Sequence, residues 1–211
     1  EKIEKQFTHV INNAHEFNTS YNDIFKKLNE SKEYQSLFKQ AFIKHQNDPI
    51  NTFTFSTALG AYVSSLTSFN SKFDQSLKSK NEDLSQEQIQ GFNIFMGKGL
   101  CATCHFPPTF SGLVPPLYDE NESEVIGVPK TKLANEIDSD LGRYDNGRHK
   151  EKSPIYKNSF KTVSVRNVAL TAPYMHNGVY ETLDEVIDFY NNGGGVGHGI
   201  EIANQTLPFD S

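Results

Sequence analysis

Apolar residues recur at helical spacing through the first third of the chain. Ile3, Phe7, Val10, Ile11 and Ala14 form one set, and Tyr34, Leu37, Phe38 and Phe42 form another. Asp48-Pro49 interrupts the pattern, because a residue before proline is driven out of the α region. Ala58, Tyr62, Leu66 and Phe69 then mark a third amphipathic helix. Ser85 to Gln88 reads as a capping box, in which hydroxyl and amide satisfy free backbone N–H groups reciprocally. Ile89, Phe92, Phe95 and Met96 follow on one helical face, and Gly97 and Gly99 end that helix. Residues 106–165 are rich in Pro, Gly, Asn, Asp and Ser and show little periodicity. A long ordered loop of this kind inside a compact domain is usually functional. Thr182 to Glu185 is a second capping box, and Val186, Phe189 and Tyr190 give its helix an apolar side. Asn191, Asn192 and Gly193 stop it. The pattern predicts a mainly α chain: a helical segment over residues 1–84 and a second domain over residues 85–211 with long ordered loops.

Composition narrows the function classes. The 211 residues carry a net charge of −6, and a mildly acidic chain is a poor ligand for nucleic acid. The charge is uneven: residues 1–90 hold 10 basic and 11 acidic side chains, residues 91–211 hold 10 and 15. The longest apolar runs are a few residues, so no membrane span is expected. The first residue is Glu1, which suggests processing or excerption from a longer protein. Only 3 of the 20 basic residues are Arg, so each Arg stands out.

Both cysteines fall in one short motif, Cys101-Ala102-Thr103-Cys104-His105. C-x-x-C-H is the attachment motif of c-type haem. Two thiols three positions apart lie near one face of a helical turn, where they can add to the two porphyrin vinyl groups. The next residue places an imidazole beneath the iron. A structural zinc site normally closes with four ligands, and no second Cys pair exists. A thioredoxin-like pair needs a βαβ context, which these flanks lack. One covalent haem c in a cytochrome c-like domain is therefore expected, with His105 as proximal ligand. On spacing alone Met175 is the first candidate for the opposite face, whereas Met96 reads as core.

The stretches FNIFMGKGLCATCHFPPTF, residues 92–110, and FKTVSVRNVALTAPYMHNGVYETLDEVIDFYNNGG, residues 160–194, resemble the C-terminal haem domain of bacterial di-haem cytochrome c peroxidases and of MauG. EYQSLFKQAF, residues 33–42, and SFNSKFDQSL, residues 68–77, resemble the family's connecting helices. The resemblance implies a peroxidatic haem in the preceding half of the protein, on a second C-x-x-C-H that this chain does not contain. Residues 1–84 are then a remnant of the peroxidatic domain. The resemblance also implies reduction of hydrogen peroxide with electrons relayed through the haem of this chain. The alternatives are MauG-like oxidation of a protein substrate, or a mono-haem electron carrier without catalysis.

Carried over residue by residue, the resemblance puts the distal ligand at Tyr190, as in MauG, with Met175 as the alternative. It implies that the carbonyl oxygens of Thr171 and Pro173 hold a calcium ion. Gln6 and Glu16 match the family's distal Gln and catalytic Glu of the peroxidatic haem, where Glu moves a proton between peroxide oxygens. Arg166, in the segment VRN, is expected to pair with a haem propionate, since guanidinium matches carboxylate in a bidentate fork. His176 and His198 read as loop residues that hydrogen-bond. A periplasmic protein is implied, with a small electron donor such as a cytochrome c or a cupredoxin, or a protein substrate, as partner. A homodimer is compatible with the family.

Overall fold

The structure is a computed structural model that describes residues 3–78, 84–118, 120–145 and 153–206. Parts of the predicted loop tract, residues 119 and 146–152, lie outside the described residues, as do 79–83 just before the expected domain boundary. The fold is mainly helical, and it divides into two compact units, residues 1–69 and 70–211.

In the first unit, α1 (Ile3–Asn12), α2 (Tyr21–Glu30), α3 (Lys32–Ala41) and α4 (Thr52–Ser65) follow one another. Serine sets two of the junctions. Ser20 caps α2 by accepting the Asp23 N–H, and Ser31 ends α2 and caps α3 through Tyr34. Asn51 and Thr54 form a capping box at the start of α4, and the Thr54 hydroxyl also donates to the Pro49 carbonyl at 2.8 Å. α1 packs closely on α4 at Gly60, where an added Cβ would stand 3.1 Å from the Glu4 side chain. Tyr21, Phe25 and Phe55 join α2 to α4 as a ring cluster with centroids 5.5 to 5.9 Å apart.

Two helices stop sooner than their apolar spacing suggested. α1 ends at Asn12, leaving Ala14 in a turn, because its last carbonyls are taken by N–H groups from further along the chain: Phe17 N–H donates to Val10 O and Thr19 N–H to Ile11 O. α4 ends at Ser65, so Leu66 and Phe69 lie beyond it. The Ser65 hydroxyl donates to the Tyr62 carbonyl, and Leu66 leaves helical geometry.

The second unit contains α5 (Lys72–Lys78), α6 (Gln86–Met96), α7 (Leu183–Asn191) and the short α8 (Gly194–Gly197). Among the described residues between α6 and α7 the backbone is mostly turns, with one two-residue antiparallel pair, β1 (Ser123–Glu124) on β2 (Phe160–Lys161). Both predicted capping boxes are present, Ser85 with Gln88 and Thr182 with Glu185. The core gathers Val125, Val128, Tyr180, Phe189 and Ile200, each less than 8% exposed. Gly127 and Gly195 allow α8 to lie directly on the 125–128 segment: a Cβ on Gly195 would sit 2.4 Å from the Gly127 carbonyl oxygen. The chain divides before α5, not after residue 84. α5 belongs to the second unit because Phe73 packs on Phe92 and Phe110, and Asp74 pairs with Arg166.

Candidate haem c site

The end of α6 delivers the two thiols. The Gly97 N–H bonds to Asn93 O, the Gly99 N–H bonds to Ile94 O, and Leu100 turns the chain with a left-handed φ of 56°. Neither glycine has room for a Cβ, which would meet backbone oxygen at 2.9 and 2.8 Å. Cys101–Thr103 then forms a single 3₁₀ turn that sets both cysteines half-buried and free. Burial raises both thiol pKa values, and at Cys104 the neighbouring Glu122 and Glu124 add to the rise.

His105 follows directly. Its Nδ1 lies 3.2 Å from the carbonyl oxygen of Phe110. A carbonyl can only accept, so Nδ1 carries the proton and Nε2 keeps a free lone pair. Burial lowers the His105 pKa against opposing contributions from the Phe110 and Val163 carbonyls, which favours the neutral, ligating form. Two thiols, a neutral imidazole with one oriented nitrogen, and the adjoining half-exposed apolar surface of Met96 and Leu100 suit a covalently held haem.

Tyr190 lies on the last turn of α7. The Thr182 cap fixes the register, and Phe189 beside it is fully buried against Tyr180 and His198. Although 38% of Tyr190 is exposed, burial around its phenol, with smaller contributions from the Cys104 and Cys101 thiols, pushes its pKa up to about 12. Met175 is half-buried in the turn between Tyr174 and Tyr180, with a left-handed φ of 68°.

Arg166 requires a correction. Its guanidinium meets Asp74 in a bidentate pair at 2.9 and 2.8 Å and also donates to the Pro108 carbonyl from Nε and Nη2. The side chains of this pair are 10% and 6% exposed. The fork expected for a propionate is engaged by a carboxylate of the chain itself.

The other expected residues are placed as follows. Thr171 closes a 3₁₀ turn (Val168–Leu170), its hydroxyl donating to the Val168 carbonyl, and both Thr171 and Pro173 are exposed. Gln6 is exposed on α1, and Glu16 is exposed in the turn after it, accepting from the Asn13 amide at 2.9 Å. His176 stacks on Phe160 with centroids 3.6 Å apart and lies 3.3 Å from Asp138. Sequence reasoning missed Asp74, Phe110, Glu122 and Glu124. The last two flank Ser123, and their carboxylates and the Cys104 sulfur lie within 4.8 Å of one another. Alternation at β1 is the signal that would have put both on one face.

Comparison with known proteins identifies relatives of the chain as a whole. The family model described as di-haem cytochrome c peroxidase matches residues 1–82. The chain belongs to the di-haem cytochrome c peroxidase family. It is 35% identical over 198 residues to the cytochrome-c peroxidase IdrP2 of Denitromonas iodatirespirans, covering 89% of this chain and 53% of that protein. It is 29% identical to the methylamine utilization protein MauG of Methylorubrum extorquens, over 92% of this chain and 50% of that protein. A crystal structure of a MauG-like protein associated with microbial copper homeostasis superposes with a TM-score of 0.78 at 26% identity, over 98% of this chain and 58% of that one. The chain spans about half the length of the curated relatives it matches.

Proposed function

We propose that this chain is the electron-relaying, haem c-bearing part of a di-haem peroxidase that reduces hydrogen peroxide. The observation that carries this reading is the attachment turn: the two cysteines open and cap one 3₁₀ turn, and His105 has its Nδ1 proton fixed by Phe110. Haem bound there would supply reversible one-electron redox chemistry at iron. The chain's own residues do the rest. Cys101 and Cys104 would hold the group, His105 would present a neutral nitrogen to the metal, and Tyr190, in preference to Met175, would offer a second ligand. Thr171 and Pro173 contribute carbonyl oxygens to a calcium site, a hard cation suited to such donors. Gln6 and Glu16 serve the peroxidatic haem of the remaining half, Glu16 as the proton carrier. A small cytochrome c or cupredoxin is the electron donor, and the protein works in the periplasm. Among the described residues no helix is long and apolar enough to cross a membrane.

A MauG-like reading, with a protein as the oxidised substrate, is supported by the likeness of the chain to MauG and to the MauG-like structure. The test is peroxide consumption coupled to oxidation of a reduced small cytochrome c, measured with the full-length protein. Turnover is expected, and Glu16→Gln should lower it by roughly 10²–10⁴-fold without changing the spectrum of the Cys101–Cys104 haem. Peroxide consumption that never oxidises the donor would favour the MauG-like reading. A protein that does not consume peroxide would contradict both.

A further inference from the structure

The Arg166 guanidinium is the centre of a clamp on one short turn. Beside the bidentate pair with Asp74 it donates to the Pro108 carbonyl at 3.0 and 2.6 Å, and it lies 5.5 Å above the Phe110 ring. Two neighbours of Arg166 bind the same turn. The Ser164 hydroxyl donates to the Thr109 carbonyl at 2.6 Å, and the Val165 N–H donates to the Phe110 carbonyl at 2.9 Å. That carbonyl is the one that accepts from His105 Nδ1. Phe110 itself is held at a φ of 50°, in the left-handed region that is costly for an aromatic residue. Its ring is wedged edge-on between Phe73 of α5 and Phe95 of α6, at 5.2 and 5.7 Å. A strained residue is thus fixed from several sides, and what the strain secures is the direction of one carbonyl oxygen.

We propose that Asp74 and Arg166 are positioning residues for His105: by holding the Pro108–Phe110 turn they fix the Nδ1–H to carbonyl bond and so set how strongly Nε2 donates to iron. The inference rests on the reading of His105 as the iron ligand. A firm acceptor on Nδ1 makes the imidazole more basic and orients its ring. A stronger donor favours ferric iron and keeps the reduction potential low. Loosening the turn should raise the potential, although neither Asp74 nor Arg166 touches His105 in the contacts described above.

The test uses the haem-loaded full-length protein. Arg166→Lys keeps the charge and loses the fork, and Asp74→Asn keeps the shape and loses the charge. Both should raise the midpoint potential of the haem on Cys101 and Cys104 and speed solvent exchange of the His105 Nδ1 proton in NMR spectra. Ser164→Ala removes a single bond to the same turn and should give a smaller rise. It carries the test if either first variant fails to accumulate. Asn204→Ala is the control, because the Asn204 amide ties the Pro154–Lys157 turn elsewhere in the unit. It should lower thermal stability and leave the potential unchanged. Variants of the clamp that lose stability as the control does, with unchanged potential and proton exchange, would overturn the proposal. A wild-type protein without covalent haem would instead overturn the assignment of His105 on which it rests.

Discussion

At the scale of single residues, the proposed haem ligand Tyr190 gives the first prediction. A phenol held at about 12 is neutral, and it becomes an oxygen donor only where a metal cation displaces its proton. Phenolate is a hard anionic ligand that stabilises ferric iron. Tyr190→Phe should therefore raise the potential and let added ligands bind at the sixth position. Met175→Leu should leave both unchanged. Loss of a near-infrared iron–thioether band in Met175→Leu would reverse the assignment. Asp74 makes a separate prediction. The Arg166 hydrogen bonds hold its carboxyl well below the usual carboxylate range, with Ser71 adding to the effect. The folded chain thus takes up this proton less readily than the unfolded chain, whose Asp has a pKa near 3.9. The stabilisation is fully present above about pH 4 and fades as the pH falls further through the acid range. Unfolding of wild type and Asp74→Asn measured against pH should differ most at neutral pH and converge in acid. A constant difference would contradict the pairing.

At the scale of elements, helix starts were more legible than helix ends. Ser85–Gln88 and Thr182–Glu185 are local signals, written within four residues, and both boxes form as read. The end of α1 depends on the Phe17 and Thr19 N–H groups that reach back to its last carbonyls, and the end of α4 on the Ser65 hydroxyl, and apolar spacing reports neither. The same distinction governs the site. The attachment turn is contiguous and could be read directly. Asp74 could not, because Ser71 and Asp74 look like an ordinary N-terminal cap, which they also are, while the partner Arg166 lies 92 positions away. The cap of α7 carries weight beyond its own helix, since it sets the register of Tyr190, the proposed second haem ligand. Its Glu185 carboxylate accepts from the Glu181 and Thr182 N–H groups, and its pKa is lowered to about 2, chiefly by Lys132. Thr182→Ala should cost about 1 kcal/mol of stability. Chemical denaturation would check this, and a loss within error of zero would show that the cap is redundant.

At the scale of the whole molecule, two units of different character share the chain. The first is a helical unit whose candidate residues, Gln6 and Glu16, are exposed. The second contains the C-x-x-C-H turn, the His105 support and all of the net negative charge. The curated relatives it matches are about twice as long. The mainly α architecture was legible because helices announce themselves by periodicity and caps. The position of the boundary was not, because α5 is assigned to its unit by contacts with Phe92, Phe110 and Arg166 that are distant in sequence. The central claim is the covalent haem, and peptide mass spectrometry tests it most directly. After expression with cytochrome c maturation and tryptic digestion, the peptide spanning residues 99–130 should carry the mass of one haem that survives acid–acetone extraction. Recovery of that peptide unmodified, with both thiols free to alkylate, would contradict the account.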